Sequence, residues 1–289
     1  MTKAEETNRQ LREAILDLLS FCAVYKISLS AQEILLFLPV KASLVGVKSH
    51  LNMLIKRGKL RQFKHSRYGI KKVDYSKKAK TLSFEANKPT KRFVKLLRVV
   101  PFVKSIVLSS DVLLSNKGEK EQSLIIITTP NRIYSTKDIV ARLQKSLGKN
   151  KPLGDINCNV YYSTAGLRFS NLISKSKLET ALWFAFAKPM HGKSVWYGLL
   201  KHDKFVQSHL PNFEWPRLNM RIHTSTSKYL DDYDNKRYRA YLKEMASAVD
   251  FQQSTALLRV RPDVFIARKL HNTNAEANYN NYKKIRERV

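Results

Sequence analysis

Residues 108–130 read LSSDVLLSNKGEKEQSLIIITTP, and the architecture of the chain turns on how they fold. With the residues just before it, it holds two strand-length apolar runs, VKSIVLS at 103–109 and SLIIITT at 123–129. Both are near-continuous rather than alternating, as in strands covered on both faces. Between them lies a loop of serine, asparagine, lysine, glycine and glutamate. The first strand ends on Ser109 and Ser110, and the second is introduced by Glu121, Gln122 and Ser123. Strand ends of this kind hold divalent metals when several carboxylates converge there. Of the three residues that introduce the second strand Glu121 alone is a carboxylate, so the stretch predicts the centre of a buried sheet without the clustered acids of a metal site.

Working outward, a third strand is expected at 156–162, INCNVYY. Before it comes a helix that Ser135 and Asp138 can cap, running to Leu147 and closed by Gly148. Upstream, KRFVKLLRVVP predicts a helix ending at Pro101. Its inner side is Phe93, Leu96, Leu97 and Val100, and its outer side is Lys91, Arg92, Lys95 and Arg98. Residues 101–165 therefore read as an α/β core with a mixed sheet, and 76–100 as a basic linker and helix. Beyond 165 the pattern turns helical, with segments at 176–188, 193–208, 228–248, 250–260 and 274–288. The stretch 166–289 is thus expected to be a helical C-terminal domain.

The N-terminal 75 residues hold three helical patterns and then two short strands. Leu11, Ile15, Leu18, Leu19 and Cys22 fall on one face of the first helix. Ser30 and Glu33 form a Ser-x-x-Glu capping box for the second, which Pro39 stops. Ser43 caps the third, with Val47, Leu51, Leu54 and Ile55 inward and Gly58 at its end. KLRQF and YGIKKV then flank the basic tip KHSR. Three helices followed by a hairpin is the order of a winged helix, a helix-turn-helix variant. In that arrangement the third helix exposes Lys48, Ser49, Asn52 and Lys56. The wing carries Lys59, Arg61, Lys64, His65 and Arg67.

The charge has the same address. The chain of 289 residues carries 53 Lys+Arg against 23 Asp+Glu, a net +30, and 43% hydrophobic residues. Residues 41–100 hold 18 of those bases and 2 of the acids, more than half the net charge in a fifth of the length. Such concentration implies a polyanionic partner, nucleic acid before an anionic membrane surface. Cys22 and Cys158 are too far apart and too few for a disulfide framework or a zinc cluster. The polar N-terminus lacks the apolar core of a signal peptide, and the longest apolar run, 181–187, is too short to cross a bilayer. These features predict a soluble, cytoplasmic protein associated with nucleic acid.

The order of basic N-terminal unit, basic helix, VPFVKSIVLSS, loop, LIIITTPNRIYS and helix resembles the minimal nucleotidyltransferase fold related to DNA polymerase beta. It is most similar to members fused to an N-terminal winged helix. LETALWFAFAKPMHGKSVWY, FVQSHLPNFEW and FQQSTALLRVRPDVFIARKLH are further landmarks, so the resemblance covers about residues 10–285. It implies that a Gly-Ser pair should close the first strand, an Asp-x-Asp open the second, and a third acid come from a later strand. Those positions fall here on Ser109 and Ser110, on Glu121, Gln122 and Ser123, and on Asn157, Cys158 and Asn159, with Asp155 only at the strand's start. One carboxylate cannot hold two metals, so the resemblance implies a scaffold whose catalytic positions are degenerate, with no cofactor and no metal.

Other chemistries find less support. Asp231, Asp232 and Asp234 form the densest acid cluster, but Lys236, Arg237 and Arg239 follow directly, which favours capping and salt bridging over a metal loop. The histidines, among them His191, His202, His209 and His223, show no zinc spacing. HGKS at 191–194 lacks the upstream glycine of a phosphate loop. Tyrosines and bases interleave at 229–241 and 279–288, a pattern of packed aromatics or of a stacking surface for single strands. The expectation is a non-catalytic protein that binds DNA largely without sequence specificity. RNA or ribosome binding, a diverged metal-dependent nucleotidyltransferase and a protein-interaction scaffold are the alternatives.

Overall fold

The first seventy residues fold by local rules that act within a few positions. In the computed structural model, α1 (Lys3–Val24) buries Leu11, Ala14, Ile15, Leu18, Leu19 and Cys22 along one stripe. Ser30 then caps α2 (Ala31–Phe37) through the reciprocal box: Glu33 N donates to Ser30 Oγ at 3.2 Å, and Ser30 N donates to the Glu33 carboxylate at 2.7 Å. The helix stops two residues before Pro39, whose ring excludes the preceding residues from helical geometry. Ser43 Oγ accepts from Gly46 N at 3.1 Å and starts α3 (Leu44–Lys56), which buries Val47, Leu51 and Leu54. Gly58, at φ 69°, reverses the chain into β2 (Leu60–Phe63). A short 3-10 turn, Lys64–Ser66, leads to β3 (Arg67–Ile70).

A two-residue strand between the first two helices, β1 (Leu29–Ser30), completes a three-stranded antiparallel sheet in the order β1-β3-β2. The structure describes residues 3–75, 81–82, 84–110, 122–148, 156–165, 177–214, 228–247, 256–261, 264–269 and 275–287.

The second sheet has six strands. Asn87 caps α4 (Lys88–Leu97), which buries Phe93, Val94 and Leu97, with Val100 buried just beyond. Leu96, expected on the inner side, is 40% exposed, because the helix turns its Phe93–Leu97 line inward and leaves 96 at the margin. Then come β4 (Val103–Leu108), β5 (Gln122–Thr128), α5 (Ile133–Gly148) and β6 (Ile156–Ser163). Ile106 to Leu108 and Leu124 to Ile127 are all fully buried. Successive strand residues point to opposite faces, so both faces of the sheet are covered there. β5 and β6 run parallel across α5, while β4 pairs antiparallel with β5. The mixed sheet expected from the opening stretch is present.

The C-terminal region departs from expectation. It contributes helices α6 (Lys177–Phe186), α7 (Lys193–Asp203), α8 (Phe205–His209), α9 (Lys228–Ser247) and α10 (Ala275–Glu287). It also contributes β7 (Lys188–His191), β8 (Ala256–Arg261) and β9 (Val264–Lys269). The sheet order is β7-β4-β5-β6-β9-β8, so the tail is not all-helical, and the expected helix at 250–260 is replaced by half of a hairpin. ALLRVR and VFIARK are two six-residue runs separated by Pro-Asp, and the proline breaks any helix that would join them. No helix among the described residues is long and apolar enough to cross a membrane.

The two ends of the chain meet. α10 lies on α1, where Arg286 pairs with both Glu13 and Asp17, and Tyr282 OH donates to Asp17 at 3.2 Å. Phe37 at the end of α2 meets Phe186 edge-on at 4.7 Å and Phe213 at 6.0 Å.

Candidate nucleic-acid interface

Burying Val47, Leu51 and Leu54 turns the opposite side of α3 outward. Lys48, Ser49, Asn52 and Lys56 are all exposed there, together with Val45, which is 79% exposed. The sequence pattern placed these four residues on one face, and the structure brings them together. Lys64 and His65 stand exposed at the hairpin turn, where His65 adopts a left-handed backbone, φ 58°. Lys59 is half-exposed at the hairpin's root, beside the exposed Arg57, Lys71 and Lys72. On α4, Lys91, Arg92, Lys95 and Arg98 all face outward, with Lys88 in the first turn. Lys91 is shared with Glu85 at 2.8 Å, an exposed pair of the sort that water and salt readily loosen. Arg98 also lies near His191, whose imidazole burial and this charge together hold below the usual histidine range.

Two arginines expected to point outward are used internally, and this corrects the reading of the hairpin. Arg67 is in β3 rather than at the tip. Its Nε donates to both the carbonyl and the hydroxyl of Ser28 at 3.1 Å; its Nη2 also donates to the Ser28 carbonyl, and reaches Glu33 at 2.9 Å. The guanidinium is thereby committed to the β1–α2 junction. Arg61 donates to the Val73 carbonyl at 3.1 Å and lies over the rings of Phe63 and Tyr75, at 4.6 and 5.0 Å. The Tyr75 hydroxyl in turn accepts from Ile70 N at 2.9 Å. Both arginines stitch the hairpin to its base. A sequence shows where a cation lies along a strand, not whether an acid or carbonyl from another element waits opposite.

At the strand ends, Ser109 and Ser110 are buried at 1% and 0% exposure. Ser110 Oγ donates to the Trp183 carbonyl at 2.8 Å, and Ser109 N donates to the Ser123 carbonyl at 2.8 Å. Gln122, also buried, accepts from Asn87 N and donates to the Glu85 carbonyl, each at 3.1 Å. Lys188 Nζ reaches the Phe84 carbonyl at 3.3 Å. The segment 84–87 is thus fastened across the start of β5 by the side chains of Gln122 and Lys188. Asn157 is half-buried in β6. Glu121 and Asp155 lie outside the described residues.

The acid cluster is spent on packing α9 against α5. Asp231 pairs with Arg132, which is fully buried. Asp234 accepts from Tyr134 N at 3.1 Å and Ser135 N at 2.7 Å, capping α5 from a hundred residues away. Ser135 and Asp138, the caps expected from sequence, lie inside the helix instead. Asp138 takes a bidentate bond from Arg237, at 2.6 and 2.8 Å, and one from Tyr233 at 2.9 Å. Burial raises Asp138, but these bonds and the adjacent charges outweigh it and hold the carboxyl below its usual range. For Asp234 burial prevails over its bonds and the carboxyl is raised. Tyr238 packs on Tyr134 at 5.6 Å, while Tyr229 is 78% exposed. Among the described residues, no group of three or more histidine, cysteine, aspartate or glutamate side chains is placed to hold a metal. His209 bonds the Phe205 carbonyl at 2.9 Å, His202 is exposed on the separate helix α7, and His223 is outside the described residues.

Gly192 of the HGKS stretch has a packing role. At φ 62° it passes so close to β4 that a Cβ would sit 2.0 Å from the Lys104 carbonyl oxygen. The missed residue of most consequence is Asn212, in the landmark FVQSHLPNFEW, whose carboxamide reaches the turn between α2 and α3. Compared with known proteins, the chain matches no family model, no curated protein and no solved structure.

Proposed function

We propose that the protein is a non-catalytic nucleic-acid-binding protein in which a winged helix and the basic helix α4 grip a duplex, DNA in preference to RNA. The observation that carries this reading is the outward face of α3: Lys48, Ser49, Asn52 and Lys56 share one exposed side, and the helix core is on the other. From Lys48 to Lys56 that face is about 12 Å long at 1.5 Å per residue, close to the width of a major groove. Two lysines at its ends suit phosphates, and Ser49 and Asn52 between them suit base edges. Lys64, Arg92, Lys95 and Arg98 add exposed cations that carry no sequence information. Largely nonspecific binding follows from that balance.

The absence of catalysis is inferred from the strand ends. Ser110 gives its one hydroxyl proton to the Trp183 carbonyl and Gln122 is bonded at both ends of its carboxamide, so both side chains are engaged inside the fold. The nucleotidyltransferase-like sheet then serves as a rigid body on which α4 and the N-terminal unit are mounted.

A salt series with duplex DNA and with structured RNA tests the reading. The wild-type protein should lose affinity steeply with salt, and Lys48→Ala/Lys56→Ala/Lys64→Ala should flatten the log–log slope by about 2.7, at about 0.9 per lost phosphate contact. A flat wild-type dependence overturns the proposal, and tighter binding to RNA across the series transfers it to RNA.

A further inference from the structure

We infer that Asn212 is a positioning residue that sets the presentation of the α3 face from the opposite half of the chain; the inference rests on the α3 reading above. The turn from Leu38 to Ser43 fixes the angle at which α3 leaves α2, and in a helix-turn-helix arrangement that angle decides how the third helix meets a groove. The turn is poor in bonds of its own. Pro39 has no N–H to give, and the carbonyls of Leu38 and Val40 and the N–H of Ala42 lie outside both helical ladders.

One carboxamide serves all three. Asn212 Nδ2 donates to the Val40 carbonyl at 2.7 Å and to the Leu38 carbonyl at 3.5 Å, while Ala42 N donates to Asn212 Oδ1 at 3.1 Å. A carboxamide is suited to this task because it gives and accepts at once, whereas aspartate lacks the donors and serine the reach. The neighbouring Phe213 packs on Phe37 of the last α2 turn. Asn212 itself is presented by a hydrogen-bonded turn after α8, in which Phe213 N donates to the Leu210 carbonyl at 3.0 Å. The latch therefore spans 170 residues of sequence and ties the reading helix to the C-terminal half.

Without the latch the turn samples other geometries, and only the fraction with α3 correctly presented binds. Apparent affinity falls by that fraction. Asn212→Ala should therefore weaken duplex binding by about threefold to tenfold, and Asn212→Asp, which keeps the acceptor for Ala42, should fall between the two. The decisive comparison uses two backgrounds. In Lys48→Ala/Asn52→Ala/Lys56→Ala, where α3 no longer contributes, Asn212→Ala should have little further effect. In Lys95→Ala/Arg98→Ala its full effect should persist. Loss of equal size in both backgrounds would mean general destabilisation and overturn the assignment. Amide exchange at Ala42 gives a readout independent of binding, with protection expected to drop in Asn212→Ala and to be largely kept in Asn212→Asp, which retains the acceptor. Unchanged exchange and binding in a protein whose wild type binds duplex would overturn the latch and leave the function standing. Failure of the wild type to bind any nucleic acid would overturn both.

Discussion

Replacing Arg67 by alanine separates the structural reading of the hairpin from the sequence reading. Read from sequence, Arg67 is a phosphate contact, and its removal weakens nucleic-acid binding and little else. In the structure its side chain is 16% exposed and faces a Glu33 carboxylate that is 25% exposed. The guanidinium donates three bonds to Ser28 and one to Glu33. Hydrogen bonds to charged groups contribute about 1.5–3 kcal/mol each, and breaking a fully buried pair costs about 3–5 kcal/mol. This pair keeps some solvent, and Glu33 retains its bond from Ser30 N, so the lower end applies. A loss of about 2 kcal/mol is expected. For a chain of this size that is a fall in Tm of about 4–8 °C. The contrast is Lys64→Ala at the exposed turn, which should leave Tm within about a degree and reduce the salt slope of duplex binding by about 0.9. Thermal unfolding followed by circular dichroism, paired with fluorescence anisotropy across a salt series, reads both quantities. An Arg67→Ala protein with unchanged Tm and a flattened slope would refute the assignment of Arg67 to the interior.

Gly192→Ala should destabilise by about 3 kcal/mol or more, since a left-handed φ is combined with a Cβ that must displace the Lys104 carbonyl; urea unfolding checks it. Arg237→Met should cost a few degrees of Tm at neutral pH and almost nothing in acid. Asp138 is depressed in the fold, so its stabilisation is complete above the ordinary carboxylate range near pH 4 and disappears as pH falls through the folded value. A wild-type advantage that grows on acidification would contradict this, and Tm measured from pH 7 to 2.5 decides. Cys22 and Cys158 are buried, with burial pushing the Cys22 thiol up and the Cys158 thiol up to about 12. Both should resist a maleimide at pH 8 in the folded protein and react together on unfolding; labelling counted by mass spectrometry before and after denaturant shows whether they do.

Much of the fold was legible because its causes are local. The Ser30–Glu33 box, the Ser43 cap and the exit at Gly58 act across three or four residues, and each was found where the sequence placed it. The buried strands at 103–108 and 122–128 announced themselves by near-continuous apolar runs. The outward face of α3 followed from helical period alone. The hairpin at 256–269 was not legible because a short apolar run such as ALLRVR fits a helix or a strand, and only the pairing of β8 with β9, and of β9 with β6, selects the strand.

The candidate interface was half legible. Lys48, Ser49, Asn52, Lys56, Lys64 and the α4 cations lie on the surface as their spacing implied, yet Arg61 and Arg67 do not. The sequence by itself determined the capped helices, the apolar strands of a mixed sheet and a concentration of positive charge between residues 41 and 100. Which cations are spent on internal acids and carbonyls depends on how distant elements pack. The tertiary structure alone revealed that Asp234 caps a helix a hundred residues away, that Gln122 fastens the 84–87 segment, and that Asn212 holds the turn before α3. The physical reason is range. Caps, periods and turns are fixed by neighbours a few bonds distant, whereas a guanidinium or a carboxamide takes whichever partner the packing of distant elements brings within 3 Å or so.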